Sequence, residues 1–134
     1  MKTLPIVTLA LGLALGVTDT AFDYAQQPSP LKRTVLQQGD TADIAGREVV
    51  MSLAEAAPDA EIARHTHPGT ELTYVLAGSG TLSIDGEPPR ELKAGDSFLV
   101  PAGKPHGGKA GPNGLKIVGV HVVEKGKPLA SPAK

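Results

Sequence analysis

The chain has 134 residues, of which 40% are hydrophobic and 20% are charged, and its formal net charge is −1. This composition is typical of one globular domain and excludes a disordered chain, while the interspersed charges lack the basic surface that nucleic-acid binding requires. Cysteine is absent, which excludes disulfides, thiolate catalysis, iron–sulfur clusters and a lipid-modified cysteine anchor. Any metal ion must therefore be held by histidine and carboxylate side chains.

The first 25 residues are predicted to be a signal peptide. Lys2 precedes an uncharged, mostly apolar run over residues 3–18, which has the charge order of a secretory leader and is short for a membrane-spanning helix. Cleavage after Ala25 gives the cleanest mature start, but Asp23 then occupies a position that prefers a small residue, so the boundary is placed between residues 16 and 26. We expect a periplasmic or secreted protein with no stable membrane anchor after cleavage.

Short strands are predicted for most of the remaining chain. Residues 26–32 form a Pro-containing linker, and beyond it apolar or alternating runs recur between turns, with no sustained helical period. The predicted strands are, in chain order, 33–36, 47–54, Glu61–Thr66, 71–77, 81–84, Arg90–Lys93, Ser97–Val100 and 115–124. This pattern predicts an all-β sandwich or barrel in one domain over residues 33–126, followed by a surface tail over 127–134.

Two histidines and a glutamate lie at a spacing that suits a metal site. His65 and His67 are two residues apart on a predicted strand, so both side chains point to the same face. Pro68 and Gly69 form a turn, and Glu71 opens the next strand within reach of that face. Two imidazoles and one carboxylate from adjacent strands make the facial arrangement that binds Fe(II) and related divalent ions.

The stretch "GDSFLVPAGKPH" supplies a fourth candidate ligand. The strand Ser97–Val100 ends at Pro101, which cannot continue a ladder, and Gly103 permits a reversal that turns His106 back toward the barrel mouth. A histidine pair that is merely solvated or packed is the alternative interpretation. It would leave the coincident placement of Glu71 and His106 unexplained.

Both stretches resemble the two sequence motifs of the cupin superfamily. The first motif has the form G(x)5HxH(x)3-4E(x)6G, and His65, His67, Glu71 and Gly78 match it in spacing. Its opening glycine is replaced by Asp59. The second motif has the form G(x)5PxG(x)2H(x)3N, and Gly95, Pro101, Gly103 and His106 match it. Its terminal asparagine is replaced by Ala110. The asparagine is not a metal ligand in the family, so its loss bears on turn geometry more than on metal binding.

The resemblance implies a double-stranded β-helix, in which two antiparallel sheets form a small jelly-roll barrel around one divalent metal ion. The implied ligands are His65, His67, Glu71 and His106. Iron or manganese is favoured, with nickel, copper and zinc as alternatives, and a homodimer is expected. Such an ion keeps open positions and can polarise a bound oxygen or present Fe(II) to dioxygen; dioxygenases, oxalate-degrading enzymes and sugar isomerases all occur in the superfamily.

The residues expected around this site favour a small uncharged substrate. Strand alternation places inward, near the ligands, Ala63, Thr73, Val75 and Leu99, none of which is charged. A sugar phosphate would need a cationic clamp, so a small neutral or enolic substrate fits better. The first hypothesis is an exported dioxygenase-like metalloenzyme, with Glu71 as acid or base as well as ligand. The alternative is a non-catalytic envelope protein that binds or senses a metal or small ligand, and a purely structural β domain would require a site without metal.

Three further side chains are assigned from strand alternation. His121 alternates with Ile117 and Val123, so it either lines the pocket as a proton carrier or partner of a metal ligand, or packs elsewhere or faces solvent. Tyr74 is expected on the outer face or at a subunit interface, and Arg64 is expected outside.

Overall fold

The computed structural model describes residues 30–134, and all regular secondary structure in that range is β-strand. The strands are β1 (Leu31–Asp40), β2 (Arg47–Ala56), β3 (Glu61–Thr66), β4 (Gly69–Ile84), β5 (Arg90–Lys93), β6 (Ser97–Val100), β7 (His106–Glu124) and β8 (Ser131–Pro132). The predicted signal peptide and residues 26–29 of the predicted linker lie outside the described residues. No helix in the described part of the chain is long and apolar enough to cross a membrane.

The strands form two antiparallel layers that share the two longest strands. In layer one, the first half of β4 and the second half of β7 pair with each other, and the order is β1-β2-β7-β4-β6. In layer two, the other halves of β4 and β7 pair, and the order is β8-β3-β7-β4-β5. Two long strands that pass from one sheet to the other produce the closed jelly-roll barrel expected for a double-stranded β-helix.

Alternating burial along the strands builds the interior. In β2, Val50, Ser52, Ala54 and Ala56 are buried while their neighbours are partly exposed, which is the period of two that one-sided strands show. The core between the layers is small and aliphatic, and it includes Val75, Leu82, Ile84, Leu92, Val100 and Leu115.

The strand predictions were accurate where alternation was uninterrupted and wrong where glycines interrupt it. The bounds of β3, β5 and β6 are as predicted, but the predicted strands 71–77 and 81–84 are one strand, β4. β4 shifts register on both sides of Gly78, which has a φ of 77°, and an added Cβ there would overlap the carbonyl oxygen of Gly114. Only glycine fits this bend.

The remaining strands also differ from the prediction. β1 extends beyond the predicted 33–36 at both ends and β2 ends two residues later than predicted, at Ala56, whereas the differences in β7 and β8 lie in glycine- or proline-rich sequence. β7 begins at His106, nine positions before the predicted strand at 115, because residues 106–110 of the segment "HGGKAGPNG" pair with β3 and β4 despite their weak strand propensity. No strand was predicted in the tail 127–134, yet β8 pairs there with β3. The tail therefore covers part of layer two.

The two positions that depart from the cupin motifs have physical explanations. Asp59 adopts a φ of 58°, the left-handed region that glycine favours and that aspartate tolerates better than most residues. Ala110 is buried in β7, where its N–H donates to the Ala60 carbonyl at 2.9 Å. This position lies within a strand and contributes to the core.

Candidate metal site

Two cross-strand pairs, one from each layer, bring the candidate ligands together. In layer two, His65 of β3 is directly opposite His106 of β7. In layer one, Glu71 of β4 is directly opposite His121 of β7. His67 lies in the short connection from β3 to β4, which crosses between the layers. The site therefore forms where the two sheets converge.

A hydrogen bond joins the segments that carry the two sequence motifs. Gly103 has a φ of 71° in the reversal after β6, and its N–H donates to the carbonyl oxygen of His67 at 3.0 Å. The reversal expected at Gly103 is therefore present, and it holds the His106 segment against the His67 connection.

The structure brings all four predicted ligands into one cluster. The ring centroids of His65 and His106 are 4.3 Å apart, those of His65 and His67 are 4.8 Å apart, and those of His67 and His106 are 5.1 Å apart. Glu71 Oε2 lies 3.1 Å from His67 Nε2 and 3.0 Å from His106 Nε2.

Backbone carbonyl oxygens orient three of the imidazoles. The Nδ1 atoms of His65, His67 and His106 lie 2.8, 2.6 and 2.9 Å from the carbonyl oxygens of Ala63, Leu129 and Lys104. A carbonyl oxygen can only accept, so each Nδ1 carries the proton, and each Nε2 presents its lone pair to the centre of the cluster. The Leu129 carbonyl comes from the tail, so residues after the predicted domain support His67.

Glu71 is fixed by a hydroxyl group on its own strand. Thr73 Oγ1 donates to Glu71 Oε1 at 2.6 Å, which leaves Oε2 directed toward the imidazoles. Both residues are buried, with Glu71 only 5% exposed. Thr73 was expected to point inward, but its contact with Glu71 was not predicted.

The ionisation of Glu71 and His106 reflects their contact. Burial alone would raise the pKa of Glu71, but contacts with His106, His67 and Thr73 outweigh it and hold that pKa far below its usual range. Burial likewise acts to lower the pKa of His106, and the Glu71 carboxylate overcomes this and raises it. Burial lowers the pKa of His65 despite its bond to Ala63.

The unpartnered atoms of this cluster fit a divalent cation. Among the described residues, His67 Nε2 and Glu71 Oε2 are buried and have no aligned hydrogen-bond partner, although they are 3.1 Å apart. Two facing lone pairs repel unless a proton or a metal ion lies between them. The ligand atoms of His65, His67 and His106 are also within 4.8 Å of one another. The described residues thus carry a His/Glu cluster that could hold a metal, as the sequence predicted.

His121 joins this cluster, although it matches no motif position. It is 1% exposed, its ring centroid is 4.6 Å from that of His67, and its Nε2 is 3.8 Å from Glu71 Oε1. Burial lowers the pKa of His121 to about 4, against the opposing charge of Glu71. Neither ring nitrogen makes a hydrogen bond of normal geometry with the described residues, although the Val50 backbone is near enough to act on the pKa of His121. His67, Glu71 and His121 form a second group whose geometry could hold a metal.

A small cavity of about 50 Å³ adjoins the cluster and is lined mainly by apolar side chains. Of the residues expected to point inward, Thr73 and Val75 do so, but Leu99 is 52% exposed and Ala63 is also exposed. Val100 is the residue opposite Glu71, so Leu99 has the outward phase. A register shift between Ile62 and His65 reverses the phase expected for Ala63.

Arg33 also lines this cavity, although every residue expected to point inward near the ligands was uncharged. It lies on β1 opposite the buried Ala54 of β2. The four-residue strand predicted at 33–36 has no apolar alternation, so the sequence did not indicate which face Arg33 occupies. Tyr74 and Arg64 are exposed as expected, and Arg64 pairs with Asp85.

Comparisons with known proteins match the fold and the motif region. A family model described as a cupin domain matches residues 52–116. The dimethylsulfoniopropionate lyase DddW of Ruegeria pomeroyi is 38% identical over 75 residues, which cover 56% of this chain and 49% of that protein. The dimethylsulfoniopropionate lyase DddQ of the same organism is 43% identical over 42 residues, covering 31% of this chain and 21% of that protein. The chain thus spans half or less of the length of these curated relatives.

Among solved structures, a conserved double-stranded β-helix protein from Klebsiella pneumoniae superposes with a TM-score of 0.65 at 24% identity, covering 81% of this chain and 89% of that one. At this identity the similarity shows the fold alone. Two long strands are shared by both layers, the motif residues converge between the layers, and the family model matches the same region. The chain therefore belongs to the cupin superfamily.

Proposed function

We propose that this protein is a metal-dependent enzyme that acts on a small organic substrate inside the barrel. The convergence of unpartnered, buried Nε2 and carboxylate atoms beside a small cavity is the observation that carries this proposal. His65, His67, Glu71 and His106 would hold the ion, and we favour iron or manganese. When bound, such an ion would polarise an oxygen atom of the substrate.

The reaction class that we propose is the lyase reaction named for both curated relatives. Cleavage of dimethylsulfoniopropionate removes a proton from the carbon beside the carboxylate, and that C–H electron pair forms a C=C bond. The C–S bond breaks with its electron pair on sulfur, so the products are dimethyl sulfide, acrylate and one proton. No oxidant or reductant is needed. Among the described residues, Glu71 and His121 are buried groups that could accept the proton.

An oxygenase is the second candidate function, supported by the apolar lining of the cavity beside the same four ligands. A flavonol or 1,3-diketone would place an enolic oxygen near the ligands and its carbon skeleton against that lining. A non-catalytic protein that binds or senses a metal is the third candidate.

One set of measurements separates these candidates. The protein is purified without chelator or nickel resin beside a His65→Ala/His67→Ala double variant, and metal content, dimethyl sulfide release and oxygen uptake are measured. Dimethyl sulfide release that is lost in the double variant supports the lyase. Oxygen uptake on a flavonol or diketone without dimethyl sulfide supports the oxygenase, and bound metal with neither activity supports the binding protein. No metal in either folded sample would contradict all of these candidates.

We also propose export, because Lys2 followed by an apolar run suits a secretory leader. The test is cell fractionation of the full chain followed by sequencing of the mature N-terminus. A start within or just after residues 16–26 supports export, whereas a cytoplasmic protein that retains Met1 contradicts it.

We further propose a homodimer formed through the outer face of layer one. Leu72 and Leu99 are cross-strand neighbours there, Tyr74 is adjacent, and each is at least half exposed. Such an apolar patch is typical of an interface. Light scattering should give a dimer mass that Leu72→Glu halves and that Ile44→Glu, in the connection from β1 to β2, leaves unchanged. A monomeric wild-type protein would contradict the proposal.

A further inference from the structure

A groove on the surface shares lining residues with the inner cavity. The groove has a volume of about 320 Å³ and lies between the start of β1, β3 and the tail strand β8. The groove and the inner cavity share four lining residues, Leu31, Arg33, Ile62 and His65. Arg33 and a candidate metal ligand therefore lie at the boundary between the surface and the site.

Among the described residues, the guanidinium group of Arg33 lacks a hydrogen-bond partner for one of its N–H groups at this boundary. Its Nε is buried and has no hydrogen-bond partner among residues 30–134. Burial lowers the pKa of Arg33, while the charge of Glu71 acts to raise it; an arginine nevertheless stays protonated in a protein. Arg33 as a whole is half-buried, but a buried N–H donor without a hydrogen-bond partner costs free energy, and a bound acceptor beside Arg33 would remove that cost.

Glu71 does not serve as that partner. Its oxygens are within 4 Å of His67, His106 and His121, and they accept a hydrogen bond from Thr73. No ion pair within 4 Å joins Glu71 and Arg33 in the described part of the chain.

The other charged side chains that line the groove are already paired. Glu61 lies 3.6 Å from Lys109, and Arg64 pairs with Asp85. Among the described lining residues, Arg33 thus combines a full positive charge, no ion pair and a position beside the ligand cluster.

We propose that Arg33 binds the carboxylate of a small organic acid where the groove meets the metal site. The forked N–H groups of a guanidinium match the two oxygens of a carboxylate. The rest of the ligand would lie against Leu82, Phe98, Leu115 and Ile117 in the inner cavity, whose volume of about 50 Å³ restricts it to a few heavy atoms. This inference rests on the proposed function in taking the cavity as the substrate site, and it makes a short monocarboxylate the substrate class.

Ligand binding tests this inference separately from turnover. Dissociation constants of propionate and of its uncharged isostere propionamide are measured by calorimetry on the metal-containing protein and on Arg33→Gln, Arg33→Lys and Lys32→Gln. Lys32 is the matched control because it is a cation on the same strand with an exposed, outward side chain.

We expect the wild-type protein and Lys32→Gln to bind propionate at least about tenfold more tightly than propionamide, since one charge-assisted contact accounts for that factor. Arg33→Gln should lose about tenfold in propionate affinity, keep its affinity for propionamide and keep its metal content. Equal propionate affinity in Arg33→Gln and the wild-type protein would overturn the inference.

Should Arg33→Gln not fold, Arg33→Lys decides the matter, because it keeps the charge and loses the fork. A loss of propionate affinity of about threefold or more at unchanged metal content supports the inference, and no loss overturns it. Arg33-dependent propionate binding without any turnover would leave the inference standing and remove the proposed lyase. Turnover of dimethylsulfoniopropionate at the same rate in Arg33→Gln and the wild-type protein would leave the proposed lyase standing and overturn the inference about Arg33.

Discussion

Glu71 is the side chain that connects the motif histidines to His121 in the candidate metal cluster. Its Oε2 faces His67 and His106, while its Oε1 accepts from Thr73 and lies 3.8 Å from His121. The carboxylate therefore contacts two of the other three motif ligands and also the histidine that the motifs omit. Residues that fix Glu71 should control the cluster without contacting a metal themselves.

Thr73 provides a test of this control. Thr73→Val removes the donor to Glu71 Oε1 at nearly constant volume, and we expect metal affinity to fall by about tenfold or more, as for other partners of metal ligands. Competition with a coloured chelator measures the affinity. Thr73→Ser restores the hydroxyl group and should recover most of the loss, whereas equal affinity in the Val and wild-type proteins would contradict this role.

His121 should make the metal-free protein sensitive to acid. Its folded-state pKa of about 4 lies below its ordinary value near 6.5, so the unfolded state binds the proton more readily and stability falls as pH decreases through that window. Relative to His121→Asn, the chelated wild-type protein should lose about 2 kcal/mol of unfolding free energy between pH 7 and 4.5. Urea unfolding at both pH values measures this difference, and parallel pH dependence in the two proteins would exclude the effect.

The predictability of individual residues depended on the motifs around them. His65, His67, Glu71 and His106 were predicted because spacing and turn residues defined both their strands and their common face. His121 carried only strand alternation, which left its surroundings open, and Arg33 carried no pattern at all. Its place in the cavity lining depends on the pairing of β1 with β2, a long-range contact that local sequence does not encode.

The tail was predicted only as a surface extension, but it pairs with a strand of the barrel and contacts a candidate ligand. The Leu129 carbonyl accepts from His67 Nδ1, β8 pairs with β3, and the Ala133 N–H donates to the Arg64 carbonyl at 3.1 Å. Eight terminal residues thereby reach both a candidate ligand and the strand that carries another. Two prolines and three small residues in the tail gave no strand pattern, so the sequence did not reveal this contact.

Removal of residues 127–134 should therefore weaken metal binding. Without the Leu129 carbonyl, the His67 ring loses the bond that fixes its tautomer, and we expect a loss of about tenfold in metal affinity. Chelator competition measures it, with deletion of Lys134 alone as the control because that deletion leaves the Leu129 and Ala133 contacts intact. Unchanged affinity in the shortened, folded protein would show that the tail does not support His67.

At the scale of the whole molecule, the candidate metal site lies where β3, β4 and β7 join the two layers. The fold class and the convergence of both motifs were predictable, because glycine-rich turns and short alternating strands favour a closed barrel. The bends of β4 and β7 were not, since they depend on contacts such as that between Gly78 and Gly114, which become apparent only when both strands are placed.

A bound ion at this junction should stabilise the entire barrel. Chelation would leave facing lone pairs buried between the layers, and loss of a ligand present at about a thousandfold its dissociation constant removes about 4 kcal/mol. We expect the melting temperature to fall by about 10 °C or more after chelation and dialysis. Re-addition of the native metal should restore it, and the His65→Ala/His67→Ala variant should show no shift; a shift of equal size in that variant would place the effect elsewhere.

The acceptors that orient His65, His67 and His106 are all main-chain carbonyls, of Ala63, Leu129 and Lys104. Point mutations replace side chains and leave those oxygens in place. Amino-acid substitutions at the three supporting positions therefore preserve the acceptors that fix the imidazole tautomers. Residues that line the cavity, by contrast, can diverge one at a time while the ligand geometry survives. Such a barrel can change the molecule it accepts over evolutionary time before it loses the capacity to hold a metal.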